Sequence, residues 1–82
     1  MSDLGNKEIF SRNLRHYIKS KFSETHIEEK QIRNKVCEDL NLNYNTLTDW
    51  IKGRKYPRID KIEMLANYFD IEKSDLIEKR ST

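Results

Sequence analysis

The stretch QIRNKVCEDLNLNYNTLTDWIKGRKYP, residues 31–57, decides the fold. Ile32, Val36, Cys37 and Leu40 recur in it at intervals of 4, 1 and 3, the pattern of a short helix from Gln31 to Leu40 with one buried face. Asn41 follows, a residue that tolerates the left-handed conformation that ends helices, and Leu42 then turns inward. Asn43 suits the N-cap of another helix, because its side-chain oxygen can accept from the first unpaired backbone N–H groups. That helix runs through Lys52, and Gly53 supplies its stop. Leu47 shares a face with Trp50 and Ile51, while Tyr44, Asn45, Thr48, Asp49 and Lys52 occupy the rest, a polar surface rich in hydrogen-bonding groups. Pro57 then forces Tyr56 into an extended or turn conformation.

On the N-terminal side, residues 7–20 place Phe10, Leu14 and Ile18 at intervals of four with Tyr17 beside them, an apolar stripe on one helical face. The following KFSETHIEEKQ (21–31) has no sustained apolar period and reads as a loop or an extension of helix one, with Phe22 and Ile27 as candidate anchors. On the C-terminal side, Ile59, Ile62, Leu65, Ala66 and Phe69 define a fourth helix, and residues 73–79, with Leu76 and Ile77, a fifth that covers the core. The expectation is an all-α, compact five-helix bundle forming one domain over residues 1–82, ordered from 7 to 79. No repeat, low-complexity tract or interdomain linker interrupts it.

Composition narrows the class. A chain of 82 residues encloses only ~60% of the surface it exposes when unfolded, so one small core is expected. Two glycines, one proline and 35% hydrophobic residues exclude collagen-like and Gly/Pro-disordered chains. The longest apolar run is Met64-Leu65-Ala66, against roughly 20 residues for a membrane span, and the start MSDLGNKE lacks the apolar stretch of a signal peptide. A cytoplasmic location is expected. One cysteine (Cys37) cannot form an internal disulfide, and His16 and His26 show no zinc-site spacing and read as surface residues. Without an acid/base pair, a metal cluster or a Gly-rich phosphate loop, no catalytic residue and no cofactor is expected.

Sixteen Lys+Arg against fourteen Asp+Glu leave a net +2, but the distribution is uneven. Lys52, Arg54, Lys55 and Arg58 fall within seven residues that hold no acid, whereas residues 59–78 hold six acids against Lys61 and Lys73. Screening confines each charge to about 8–10 Å, so a local cluster can attract a polyanion despite a small net charge. Two short helices joined by Asn41-Leu42-Asn43, the second polar outside and followed at once by cations, suit insertion into a DNA major groove. The groove's base edges distinguish all four pairs, and Asn, Thr and Tyr can read them. The cations would face the bordering phosphates. Trp50 is better explained as core, Arg58 as either a phosphate contact or a partner for helix-four acids, and Tyr68 and Phe69 as core or subunit contact.

From Arg33 to Ile77 the sequence resembles the helix-turn-helix domain of Cro/CI-type (Xre-like) phage and bacterial repressors. The likeness lies in the short helix, the L-N-L-N turn, T-L-T-D-W-I-K-G, the G-R-K-Y-P loop and I-D-K-I-E-M-L-A-N-Y-F ending in D-L-I; with helix one it covers residues 7–79. It is closest to the N-terminal domains of prophage repressors, many of which continue into a self-cleaving Ser/Lys peptidase domain that these 82 residues do not contain. The resemblance implies a lambda-repressor-like fold and a sequence-specific transcriptional regulator, a phage or prophage repressor that binds double-stranded DNA as a homodimer on an inverted-repeat operator, at the nucleoid. It implies base-facing positions for Tyr44, Asn45, Thr48 and Asp49, with Asn45 suited to adenine and Asp49 to cytosine N4 or to orienting Tyr44. Arg33, Asn43, Lys52, Arg54, Lys55 and Tyr56 match phosphate-contacting positions. Arg33 stands where Gln is frequent, Asn41 where Gly is common, and Ile51 where many relatives carry Glu, so apolar packing is expected to replace the usual ion pair with helix one. The competing expectation is a helical protein-interaction module, such as an antitoxin-like partner.

Overall fold

Asn6 opens the first helix: its side-chain oxygen accepts from the backbone N–H groups of Glu8 and Ile9, at 2.8 and 3.0 Å. From there the chain forms α1 (Lys7–Lys21), α2 (Glu29–Leu40), α3 (Tyr44–Ile51), α4 (Ile59–Phe69) and α5 (Lys73–Ile77). The computed structural model describes residues 6–79, and expectations concerning residues 1–5 and 80–82 lie outside them. Among the described residues there is no strand, and no helix is long and apolar enough to cross a membrane.

The apolar stripes meet in one core. Phe10 and Leu14 of α1 pack with Val36 of α2, Leu47 and Trp50 of α3, Ile62 and Leu65 of α4, and Leu76 of α5. Trp50 lies edge-on to Phe10, with ring centroids 6.4 Å apart, as its spacing with Leu47 required. Cys37 is buried, and burial pushes its thiol pKa up, against a smaller opposing pull from the Arg33 charge. Ile51 is likewise buried, in line with the apolar packing expected of it.

Three helices end alike. After α2, α3 and α4, Asn41, Gly53 and Asp70 adopt positive φ (55°, 74° and 60°). The N–H of the next residue then reaches back to a carbonyl in the last turn: Leu42 to Cys37, Arg54 to Asp49 and Ile71 to Ala66, at 2.9, 2.8 and 2.9 Å. These Schellman turns satisfy carbonyls that the helices leave unpaired. They also turn Leu42 and Ile71 back onto the core.

Several boundaries differ from the sequence expectations. Helix two begins at Glu29 instead of Gln31, because Glu28 and Gln31 form a capping box in which the Gln31 side chain accepts from the Glu28 N–H. Helix one gains Lys21, so the irregular connection shrinks to residues 22–28. Only Phe22 anchors it; Ile27 is 41% exposed. The third helix is Tyr44–Ile51 with Asn43 and Lys52 as its caps, and the fifth stops at Ile77, not Lys79.

Two buried polar residues of α1 tie distant elements together, and neither is visible in the apolar pattern. The Asn13 amide donates to the carbonyls of Leu76 and Glu78, at 2.9 and 2.8 Å, holding α5 in place. The Ser11 hydroxyl donates to the Ile51 carbonyl at the end of α3, fixing where that helix stops.

Candidate nucleic-acid interface

Because α3 is anchored through Leu47, Trp50 and Ile51, its other face is turned away from the core. Asn43 caps it, accepting from the Asn45 N–H at 2.8 Å. Asn43, Asn45 and Lys52 are exposed, and the Asn45 carboxamide makes no hydrogen bond among the described residues. Tyr44, Thr48 and Asp49 are half-buried. The Arg33 guanidinium of α2 lies over the Tyr44 ring, 5.5 Å from its centroid, which joins the two helices at their outer edge. The Arg33 Nε and the Thr48 hydroxyl are buried atoms without a hydrogen-bond partner.

Asp49 is engaged by the loop that follows its own helix. Its carboxylate receives Arg54 Nη1 at 3.3 Å and stands 3.7 Å from Lys55 Nζ. No hydrogen bond joins Asp49 to Tyr44 among the described residues, and the Tyr44 ring carries the Arg33 guanidinium. Tyr56 turns its ring onto Phe10, with centroids 5.7 Å apart, and burial raises its phenol pKa. Arg58 is exposed and makes no ion pair among the described residues; Glu63 of α4 pairs with Lys73 instead.

Helix one contributes cations that were not assigned from sequence. Lys7, Ser11 and Arg15, spaced by four, line one side of an open cleft whose other walls include Arg33, Lys52 and Gly53, with Glu8 and Glu29 as its acids. Arg15 Nε donates to the Ser11 carbonyl at 3.3 Å. The spacing of four was the available signal, masked by the apolar stripe running through the same helix.

The ten residues singled out from sequence thus fall on α3, its two flanks and the adjacent start of α2. Of these, Tyr44 and Tyr56 are half-buried and pack partly against the core. A sequence model of the Cro/C1-type helix-turn-helix DNA-binding domain matches residues 22–79. The chain belongs to this family. As a Cro/C1-type domain it has the two-helix unit in α2 and α3, joined by residues 41–43. Among solved structures it is similar to the SOS-response transcriptional repressor LexA from Eubacterium rectale: 34% identity over 93% of this chain and 72% of the other, with a TM-score of 0.75. No curated protein matches the chain. Among the described residues, no group of three or more His, Cys, Asp or Glu is placed to hold a metal ion in this Cro/C1-type domain.

Proposed function

We propose that this chain is a sequence-specific regulator of transcription that binds double-stranded DNA, acting as a phage or prophage repressor by occupying an operator that overlaps a promoter. The observation that carries this is the exposure of the Asn45 carboxamide on a helix whose opposite face is locked in the core, with Arg54 and Lys55 on the loop directly beyond it. Helix α3 lies in the major groove. Asn45 pairs its carboxamide with adenine N6 and N7, while Tyr44 and Thr48 contact neighbouring base edges and Asp49 faces a base-borne amino group.

Arg33, Asn43, Lys52, Arg54, Lys55 and Tyr56 contact phosphates and set the register, with Lys7 and Arg15 extending the basic rim. Two copies on an inverted repeat place their α3 helices one duplex turn apart, ~34 Å. The site lies at the nucleoid, in the cytoplasm.

Operators selected from random duplexes, titrated at rising salt, test the proposal. The affinity should fall linearly in log–log coordinates, about 0.9 decade per decade of salt for each phosphate neutralised. Asn45→Ala should cost about 1–3 kcal/mol on the operator and relax one base position, whereas Lys55→Ala should weaken all duplexes alike. A flat salt response, or equal and sequence-blind losses from the two variants, would overturn it.

A further inference from the structure

We infer that Asp49 restrains the loop cations and makes the domain reject non-operator DNA, a role that rests on the DNA-binding function proposed above. The carboxylate stands between the base-facing side of α3 and the phosphate-facing loop. Its side chain is only 20% exposed, while Arg54 and Lys55, at 3.3 and 3.7 Å, are 60% and 71% exposed. The backbone reinforces the arrangement: the Arg54 N–H donates to the Asp49 carbonyl at 2.8 Å, and Gly53, at φ 74°, makes the turn that brings both cations back over the acid. Asp49 is thus a positioning residue for the two cations as well as a neighbour of the bases.

Exposed ion pairs are weak, so phosphates can draw Arg54 and Lys55 away from Asp49 at little cost. The cost falls on the acid, which is left unpaired at a poorly hydrated interface beside a polyanion. Only an amino group on a base edge relieves it, and in the major groove cytosine N4 and adenine N6 are the donors. Guanine O6 and N7 and thymine O4 are acceptors and repel the carboxylate. Every Watson–Crick pair carries one such amino group, on only one of its two bases, so a duplex that turns guanine or thymine toward Asp49 leaves the cations on the acid, and discrimination arises from a repulsive element as well as from attractive contacts.

The experiment titrates the intact chain and Asp49→Asn against the selected operator and a random-sequence duplex over a salt series, with helical melting recorded for each protein. Asp49→Asn should bind the random duplex about tenfold more tightly, with a salt slope steeper by roughly one to two. The operator-to-random ratio should then fall about tenfold, the scale of one misread base pair. Asp49→Glu should retain the parent's ratio. In an Arg54→Gln, Lys55→Gln background the effect of Asp49→Asn on the salt slope should vanish. Unchanged random-duplex affinity and slope in Asp49→Asn, or equal losses on both duplexes, would overturn the inference while leaving the DNA-binding function intact. A parent that binds no duplex in a salt-dependent way would overturn both.

Discussion

Replacing Asn13 by alanine removes a side chain that hydrogen-bonds α1 to the end of α5. The asparagine is 1% exposed, and its amide donates to the carbonyls of Leu76 and Glu78. Leu76 is fully buried, so its carbonyl loses its partner where water enters poorly, at about 1–3 kcal/mol. Glu78 is exposed and its carbonyl can turn to water, so that bond contributes only its net ~0.5–1.5 kcal/mol. Against this, the Asn13 Oδ1 is itself buried without a partner, and deleting it recovers part of the loss, roughly 1 kcal/mol.

The expected net destabilisation is about 1–3 kcal/mol, a large share of the ~5–15 kcal/mol typical of a domain. At ~4–8 °C per kcal/mol for a chain of this size, the thermal midpoint followed by circular dichroism should drop by about 10 °C. Hydrogen exchange should localise the loss, because a five-residue helix has no independent stability and the Glu78 amide bonded to Ser74 should lose protection first. Asn13→Asp should be worse than alanine, since it sets a carboxylate against two carbonyls. An alanine variant melting within ~2 °C of the parent, with α5 amides still protected, would show that Leu76 packing alone seats the helix.

Gly53→Ala tests the turn beyond α3. A methyl there would meet the Ser11 Cβ at an ordinary 3.6 Å, so the penalty comes from placing alanine at φ 74°, about 1–2 kcal/mol, and should appear as a lowered denaturation midpoint with weakened duplex binding as Arg54 and Lys55 shift. Unchanged values for both would contradict a strained turn. Tyr68 donates to the Asp39 carboxylate at 2.6 Å, and burial and this bond raise its phenol above the ordinary 10.0. The folded state thus holds that proton more tightly than the unfolded chain, so stability is full below pH 10 and is lost as the pH rises toward the folded-state pKa. The same bond, ahead of Lys35 and Lys21, lowers the pKa of Asp39, whose contribution is lost as the pH falls through its folded-state value. Denaturant midpoints across pH should therefore sag at both ends, and Tyr68→Phe should flatten both arms, leaving an alkaline remainder from Tyr56 and Cys37; an unaltered pH profile in the variant would refute this account.

Much of this architecture is legible in one dimension because it depends on local periodicity. Phe10, Leu14 and Ile18 at intervals of four, or Leu47 beside Trp50 and Ile51, can bury together only on a helix, whatever they pack against. The left-handed end at Asn41 follows from that residue's own chemistry, and the N-cap at Asn43 from its short acceptor side chain. The equivalent turn at Asp70 is not legible in the sequence, because aspartate is less distinctive there than glycine, and Glu28 is an unusual cap, so periodicity places the start of α2 two residues late. The separation of the polar α3 face from its apolar face likewise needs no tertiary knowledge.

Partnership between side chains far apart in the chain is a different matter. That Asn13 meets the end of α5, that Ser11 stops α3 at Ile51, and that Tyr68 reaches Asp39 depend on how helices are set against one another, which no spacing within a helix encodes. The same holds for the interface. Asn45 points outward by periodicity alone, but Arg33 over Tyr44 and the cleft between Lys7, Arg15 and Lys52 exist only once α1, α2 and α3 are docked. Asp49 is the intermediate case: it lies close in sequence to Arg54 and Lys55, yet the turn at Gly53 is what folds those cations back onto it. The periodicity that sets apolar side chains on one helix face is short-ranged in sequence and defines the elements, whereas directional hydrogen bonds and charge pairs require fixed distances that only the assembled core supplies.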